Sequence, residues 1–201
     1  GNIFDPNEVI DSSQRRNIVV PVNRCFDTHV DNHIVSAQTV HGATFSSLYA
    51  SGKYTEEFLS MAIGKLLENT NYKSLSEEEK PEGNRKRYPV GTVVDLPGYE
   101  NEHFFLWALS TFDNKLKAHT SMQEYALAVQ KLIESCNEES EGFPVVLPLV
   151  GTGLSRTKKD QQDVLKYLIN AFRINKAEIN CDIHIVVRND IKNEIAIMNI
   201  K

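Results

Sequence analysis

The most informative segment of the sequence is Val145-Val146-Leu147-Pro148-Leu149-Val150-Gly151-Thr152-Gly153-Leu154-Ser155-Arg156. Its apolar first half predicts a buried strand over 143–150, and a helix is predicted from about Lys158. Gly151 and Gly153 let the backbone between the two elements approach a ligand without a Cβ in the way. The free N–H groups of such a turn and the positive end of the helix dipole favour an anion such as phosphate. The turn matches neither a P-loop nor the dinucleotide fingerprint, so by itself it also fits an ordinary strand-to-helix connection.

Length and charge limit the classes of protein to which the chain can belong. With 201 residues we expect one domain over 1–201 with a sizeable core. The net charge of −5 argues against broad nucleic-acid binding. Cys25, Cys136 and Cys181 are far apart and lack zinc-site spacing, which is typical of a reducing compartment. No signal peptide or membrane-spanning apolar run is present, and a first residue other than Met suggests the soluble part of a longer protein.

Strands and helices alternate along the sequence. This alternation predicts an α/β fold with three layers, in which a mixed, largely parallel central sheet has helices on both faces. In such sheets ligands bind outside the carboxyl ends of the strands, so we expect the turns after residues 22, 109 and 150 to share one rim. The other predicted strands are 17–22, 90–96, 103–109, 182–187 and 195–200, and the predicted helices are 53–68, 121–136 and 158–172. Residues 97–101, between the strands 90–96 and 103–109, predict a hairpin or a wider turn.

Three segments carry more detailed predictions. Residues 24–50 show little periodicity, and a long irregular stretch inside a compact domain is usually functional. Residues 69–89 are polar and predict a solvated excursion. Ser121 and Glu124 form a capping box at the start of the clearest helix. The helix over 53–68 is predicted to pack through one face made of Tyr54, Phe58, Met61, Ala62 and Leu66.

Two histidines imitate a metal site. His29 and His33 have the i, i+4 spacing of a helical metal pair, but the glutamate of zinc proteases and a third ligand are missing. We therefore expect no metal site. Trp107 lies inside an apolar strand and is expected in the core.

Three landmarks in the sequence are similar to those of macro domains, which bind ADP-ribose and its derivatives. Gly1-Asn2-Ile3-Phe4-Asp5 resembles the adenine corner, Pro21-Val22-Asn23 the first loop, and Gly151-Thr152-Gly153-Leu154 the glycine-rich second loop. More closely, Asn23-Arg24-Cys25-Phe26-Asp27-Thr28, with Val30-Asp31, Ser36 and Val40-His41-Gly42, resembles a divergent bacterial macro-like family. That family supplies the sensor domain of some Thoeris antiphage effectors. The resemblance extends from residue 1 to about residue 187.

The resemblance implies a function and a setting. The domain would bind an ADP-ribose-derived signal made by a partner TIR enzyme, with histidine-conjugated ADP-ribose the expected form, and would need no cofactor. In the family the domain follows transmembrane helices, so the chain is expected to be a cytoplasmic domain of a bacterial inner-membrane protein. Binding would activate an attached effector. The sequence leaves the oligomeric state open, a homo-oligomer included.

The resemblance also assigns the site, and each assignment has a plainer alternative. The segment assigned to the pyrophosphate could instead be a plain turn, and the segment that faces it could be a surface turn. The residues assigned to adenine could be a disordered terminus. In the ribose group Phe26 could be core and Asp27 a helix cap. The assignments are Asn2 and Ile3 to adenine; Gly151, Thr152, Gly153, Leu154, Ser155 and Arg156 to the pyrophosphate; Val40, His41 and Gly42 to the facing segment; Asn23, Phe26, Asp27 and Thr28 to the distal ribose and its substituent; and Ser110 and Thr111 to the same rim.

Two departures from the family bear on catalysis. Asn2 stands where the family has an adenine-reading aspartate, and its carbonyl can accept the same hydrogen bond with less charge assistance. The first loop lacks the glycine run of hydrolytic macro domains, so we expect recognition without catalytic residues. The alternative is an ADP-ribosyl hydrolase in which Asp27 or Asp31 activates water. A structural domain without nucleotide affinity is the third interpretation.

Overall fold

A computed structural model describes residues 2–4, 14–150 and 158–189, with the side chains of 158–160 excepted. The glycine-rich turn 151–156 and the predicted strand 195–200 therefore lie outside the described residues. The described strands are β1 (Arg16–Asn23), β2 (Lys73–Ser74), β3 (Lys86–Arg87), β4 (Val93–Pro97), β5 (Glu102–Phe112), β6 (Ala118–His119), β7 (Val145–Pro148) and β8 (Ile183–Val186). The described helices are α1 (Val40–Ala50), α2 (Glu56–Leu66), α3 (Met122–Glu139) and α4 (Lys158–Ile174).

The main sheet has the strand order β4-β5-β1-β7-β8. β1 runs parallel to β5 and to β7, and β7 runs parallel to β8. β4 pairs antiparallel with β5, and the short β6 pairs antiparallel with the carboxyl end of β5. The carboxyl ends of four parallel strands therefore meet on one rim, which confirms the mixed, largely parallel sheet expected from the sequence.

Alternation along the central strands builds a core on each face of the sheet. Ile18, Val20 and Val22 of β1 pack with the buried residues of α1 and α2. Val19, between the first two, joins the core formed with α3 and α4. Because successive side chains of a strand point to opposite faces, the apolar run of β1 is buried on both sides, as is usual for a parallel strand. Trp107 lies in the core on the α3 and α4 side, as predicted.

Local signals at two element ends are confirmed. Ser121 Oγ accepts from the N–H of Glu124 at 3.2 Å, and the Glu124 carboxylate accepts from the N–H of Ser121 at 2.9 Å. This capping box begins α3 where the sequence placed it. The predicted strand pair around Pro97 and Gly98 is the β4–β5 hairpin, in which the N–H of Gly98 donates to the carbonyl of Glu102 at 2.8 Å.

The expectation that residues 24–50 lack regular structure is wrong in its second half, which is the helix α1. The buried residues of α1 are mostly small or polar, so they leave no hydrophobic period in the sequence. The connection before it, residues 24–39, is irregular as expected. The buried residues of α1 are His41, Gly42, Thr44, Phe45 and Leu48.

Two predictions about the next segments are also wrong. Helix α2 buries Leu59 and Ile63, whereas Phe58, Met61 and Leu66 of the predicted face are more than half exposed. The helix begins at Glu56, after Thr55, whose side chain accepts from the N–H of Phe58. The polar excursion 69–89 is only partly solvated, because it folds back and buries Leu75, Lys80 and Tyr88.

Candidate functional site

A cleft of about 310 Å³ opens at the carboxyl ends of β1 and β5. Its walls come from the end of β1, the connection 33–36, the start of α1, the end of β5 and the segment around β6. Val150, which follows β7, completes the lining. The cleft therefore lies on the rim where sequence reasoning placed a ligand. The residues that line it are Pro21, Val22, Asn23, His33, Ile34, Val35, Ser36, Thr39, Val40, His41, Leu109, Ser110, Phe112, Ala118, His119, Thr120 and Val150.

The amino-terminal end of α1 forms one wall of the cleft. Thr39 caps the helix, and its Oγ1 accepts from the N–H of Gly42 at 3.1 Å. Val40 and His41 occupy the first turn, where backbone N–H groups have no acceptor within the helix. These groups and the positive end of the helix dipole favour an anion at this wall.

Gly42 has a packing role beneath that wall. A Cβ added to Gly42 would lie 2.2 Å from the carbonyl oxygen of Ser36, so only glycine allows the connection to pack this closely against α1. The same carbonyl oxygen accepts from Thr39 Oγ1 at 2.7 Å. Before it, Asp31 Oδ1 accepts from the N–H groups of His33 and Ile34 at 2.8 and 2.9 Å. The connection thus reaches the cleft as a tightly bonded loop.

Asn23 ends β1 at the base of the cleft and is 4% exposed. Its Oδ1 accepts from the N–H of Cys25 at 3.0 Å and from that of Asp27 at 3.4 Å. Its Nδ2 is buried without a hydrogen-bond partner in the described part of the chain. The side chain therefore shapes the connection with its oxygen and leaves its two donors for another group.

His41 is the second buried polar residue of the cleft. Its ring packs edge-on against Phe45, with ring centroids 4.6 Å apart. Burial lowers the pKa of His41 to about 4, and a hydrogen bond to the backbone of Asp27 opposes this shift. The imidazole is therefore neutral at pH 7. Its Nε2 is buried without a partner among the described residues.

Asp27 is occupied within the protein. Its Oδ2 lies 2.7 Å from Lys80 Nζ, and its Oδ1 accepts from the N–H of Asn84 at 2.6 Å. Lys80 Nζ also donates to the carbonyl of Asn84 at 2.7 Å. Burial raises the pKa of Asp27, whereas the ammonium of Lys80, the N–H of Asn84 and the nearby Asn23 side chain act in the opposite direction. The carboxylate ties the β1–α1 connection to the excursion 69–89 and does not line the cleft.

Two neighbours of Asp27 that were assigned to the ribose also serve the packing of the protein. Phe26 is buried with φ of 51° and packs edge-on against Tyr88 at a centroid distance of 5.7 Å. The carbonyl of Thr28 accepts from the hydroxyl of Tyr49 at 2.6 Å. Neither Phe26 nor Thr28 lines the 310 Å³ cleft, so Asn23 is the member of this predicted group that does.

The remaining predicted contacts divide in the same way. Ser110 lines the cleft beside Asn23, whereas Thr111 pairs with His119 of β6 and is absent from the lining. Ile3 is buried in the core on the α1 and α2 side. Asn2 is exposed, and its Oδ1 accepts from the N–H of Phe4 at 3.1 Å. The segment Gly151 to Arg156 lies outside the described residues, directly after the cleft residue Val150.

Sequence reasoning missed the wall formed by Phe112, Ala118, His119 and Thr120. These residues come together because Asp113 turns the chain: its Oδ1 accepts from the N–H groups of Lys115 and Lys117 at 2.8 and 2.9 Å. The sequence signal was this aspartate directly after an apolar strand, since aspartate side chains commonly bond the backbone of a following turn.

The described residues also bear on metal binding and membrane insertion. His29 pairs with Glu56 at 2.9 Å and His33 with Glu82 at 3.5 Å, so the two rings face different carboxylates. Within 2–4, 14–150 and 158–189, no group of three or more His, Cys, Asp or Glu residues could hold a metal ion. None of the helices in these ranges is long and apolar enough to cross a membrane.

Comparison with known proteins identifies the family. The sequence model of the family described as "Thoeris protein ThsA, Macro domain" matches residues 1–188. The chain belongs to the ThsA macro-domain family. This membership confirms the resemblance to macro domains and to the Thoeris sensor family that the sequence landmarks indicated.

Two individual proteins are similar to this member of the family. The Thoeris protein ThsA of Bacillus amyloliquefaciens (strain Y2) is 26% identical over 166 residues, which cover 80% of this chain and 52% of that protein. The chain thus spans about half the length of the curated relative it matches. Among solved structures, the macrodomain of Mycobacterium tuberculosis DarG is 15% identical with a TM-score of 0.49, over 92% of this chain and 93% of that one.

Proposed function

We propose that this domain is the sensor of a Thoeris antiphage effector and binds an ADP-ribose-derived nucleotide, with histidine-conjugated ADP-ribose as the expected signal. A TIR enzyme would supply the signal, and binding would activate the effector attached to the domain. Recognition requires no cofactor, because the nucleotide is itself the ligand. Family membership supports this assignment, and the cleft at the carboxyl ends of β1 and β5 is where we propose that the nucleotide binds.

One observation carries the proposal. Asn23 Nδ2 and His41 Nε2 are both buried, both belong to residues that line the cleft, and both lack a partner in the described part of the chain. Most buried polar atoms in proteins have a hydrogen-bond partner, and an orphan is costly. A ligand in the cleft would supply both partners. The cleft is therefore better explained as a binding site than as a packing defect.

The proposed ligand orientation follows the rim. The pyrophosphate would lie between the start of α1, at Val40 and His41, and the segment Gly151 to Arg156. The distal ribose and its substituent would lie at the end of β1, against Asn23 and Ser110, with Thr111 beside them. Asn2 and Ile3 would approach the adenine. The carboxylate of Asp27 would not contact the ligand, because Lys80 and Asn84 occupy it.

The contacts of the two candidate bases favour recognition over hydrolysis. Activation of water would need a carboxylate that is free to accept its proton. Asp27 is held by Lys80 and Asn84, and neither Asp27 nor Asp31 belongs to the residues that line the cleft. The ligand is therefore expected to leave the site intact.

Calorimetry tests the proposal directly. The purified domain is titrated with ADP-ribose, with histidine-conjugated ADP-ribose and with ADP, and the ligands are analysed by chromatography afterwards. Tighter binding of the conjugate, recovered intact, supports a sensor that reads the added group. Cleavage of either ligand would make the domain a hydrolase, and absence of binding to all three would refute the nucleotide site.

The proposal extends to a longer protein in which this domain is attached to an effector. The effector, its attachment to the inner membrane and the TIR partner are proposed for a full-length protein resembling the relative from Bacillus amyloliquefaciens. Light scattering of that protein with and without the conjugate tests whether binding changes a homo-oligomer. An unchanged mass together with unchanged effector output would refute activation by the ligand.

A further inference from the structure

We infer that His41 is a specificity-determining residue that accepts a hydrogen bond from a hydroxyl or N–H group of the ligand through an unprotonated Nε2. This inference rests on the proposed nucleotide site and deepens it. It assigns the His41 side chain to the distal ribose or its substituent. The phosphate groups are left to backbone N–H groups of the same helix turn.

The first step is the protonation state of the ring. The hydrogen bond between the His41 ring and the backbone of Asp27 favours the protonated form of the ring. Its backbone partner must therefore be an acceptor, which is the carbonyl of Asp27; the N–H of Asp27 faces Asn23 Oδ1. Because Nε2 has no partner, the ring nitrogen that donates to this carbonyl is Nδ1. A neutral imidazole carries one N–H, so Nε2 bears a lone pair.

The second step is the rigidity of this arrangement. The ring of His41 is held against Phe45, and the Asp27 carbonyl is fixed by the contacts of the Asp27 side chain with Lys80 and Asn84. The residue cannot easily turn Nε2 into a donor, because the carbonyl would then lose its own donor.

The third step is the chemistry that such an atom accepts. Phosphate oxygens that carry no proton offer a lone pair only, so they repel Nε2. A ribose hydroxyl of the ligand can donate to His41 Nε2, which lacks a partner among the described residues. The N–H of an imidazole or amide substituent satisfies His41 in the same way. The acceptor at His41 therefore favours a ribose hydroxyl or a nitrogen-bearing substituent over a phosphate.

Long-range proton–nitrogen NMR tests the tautomer without any ligand. The ring signals of His41 are assigned by their disappearance in His41→Gln, and the expected result at pH 7 is a protonated Nδ1 and an unprotonated Nε2. Saturation with ADP-ribose should then shift the Nε2 signal while leaving Nδ1 protonated. A protonated Nε2 or an imidazolium in the free protein would overturn the inference.

Calorimetry with two ligands tests specificity. His41→Phe keeps an aromatic ring of similar size and removes the acceptor, so affinity for ADP-ribose should fall about tenfold or more. Affinity for ADP, which lacks the distal ribose, should stay within about twofold. His29→Phe is the matched control, because His29 is exposed, pairs with Glu56 and lies outside the cleft lining.

The outcomes separate the inference from the proposed function. An equal loss for ADP-ribose and ADP in His41→Phe, or no loss for either, would overturn the role of His41. If the wild-type domain binds neither ligand, the proposed function fails. An unprotonated Nε2 in the NMR experiment would then support only the tautomer and not its use.

Discussion

Two pairs of buried polar residues near the β1–α1 connection differ in one respect. Asp27 and Lys80 bind each other and Asn84, and the carboxylate oxygens of Asp27 both have partners. Asn23 at the end of β1 and His41 at the start of α1 are also buried, and each leaves one polar atom without a described partner. The first pair is complete within the protein, whereas the proposed ligand would complete the second.

This difference offers a criterion that distinguishes residues that stabilise the fold from residues that bind a ligand. The criterion is whether the buried polar atoms have partners within the protein. Both the carboxylate of Asp27 and the amide of Asn23 are natural candidates for contact with a ligand, and residue type does not distinguish them. Burying a charge is costly unless it is paired, so a fully paired charge contributes to the fold. An incomplete buried group incurs its cost until a ligand arrives. We therefore expect substitutions in the first pair to lower stability and those in the second to lower affinity.

The largest expected effect comes from Lys80→Met, which leaves the Asp27 carboxylate buried without its counter-ion. Removing one partner of a buried pair costs about 3–5 kcal/mol of unfolding free energy, measured by urea denaturation. Lys73→Met is the matched control, because Lys73 pairs with Glu79 at 2.7 Å on an exposed surface and such pairs contribute about 0–1 kcal/mol. Similar losses in the two variants would contradict the structural role of the buried pair.

The double variant Asp27→Leu with Lys80→Met separates lost attraction from stranded charge. Replacing a buried ion pair by apolar side chains is often nearly neutral, so the double variant should recover most of the stability that Lys80→Met loses. Part of the loss should remain, because the N–H and the carbonyl of Asn84 both lose their partners in the double variant. The double variant would be as unstable as Lys80→Met only if these contacts of Asn84 dominate. That outcome would make the anchoring of the excursion 69–89 the main contribution.

A second large effect is expected on acidification, through His41. Its pKa is about 4 in the folded protein and about 6.5 when unfolded. As the pH falls below 6.5, His41 binds a proton in the unfolded state but not in the folded state, so the free energy of unfolding decreases between pH 6.5 and 4. The difference between the two pKa values corresponds to about 3 kcal/mol of unfolding free energy. His41→Gln should lack this loss in urea denaturation at pH 7 and pH 4.5, and an identical loss in the variant would place the acid sensitivity elsewhere.

A smaller effect, on affinity, compares two buried asparagines. Asn23→Asp keeps the oxygen that caps Cys25 and removes the donor Nδ2, so affinity for ADP-ribose should fall about tenfold. Asn17 is the counterpart, since its Nδ2 donates to the carbonyls of Ser140 and Phe143 at 3.1 and 3.3 Å. Asn17→Asp should lower stability by about 1–3 kcal/mol and leave affinity within about twofold. The reverse pattern in calorimetry and denaturation would break the comparison.

The sequence predicted the framework of the fold because its signals are local. The apolar strands, the capping box at Ser121 and the β4–β5 hairpin each depend on neighbouring residues, and all three are confirmed. Helix α1 was missed because its buried face includes His41, Gly42 and Thr44, which leave no hydrophobic period. The sequence predicts the wrong buried face for α2, because Phe58 and Met61 are apolar and have helical spacing but are exposed.

The site could be predicted in outline but not in its contacts. Asn23, Val40, His41 and Ser110 were named from the sequence, and they line one cleft. The partner of Asp27 is Lys80, 53 residues away. A local sequence pattern does not predict a pairing at that separation. The glycine-rich segment 151–156 and the approach of Asn2 to adenine stay predictions.

The smallest expected effect comes from Tyr125→Phe, which tests whether an unpartnered polar atom is sufficient to mark a site. The Tyr125 hydroxyl is buried without a described partner, but Tyr125 lies in the core between Trp107 and Tyr167 and does not line the cleft. Phenylalanine keeps the ring contacts and removes a buried polar group, so stability should rise or stay within about 1 kcal/mol, and affinity for ADP-ribose should not change. A drop in stability beyond this would indicate a partner for the hydroxyl. A loss of affinity would extend the ligand site to α3 and remove the distinction between an orphan in the cleft and one in the core.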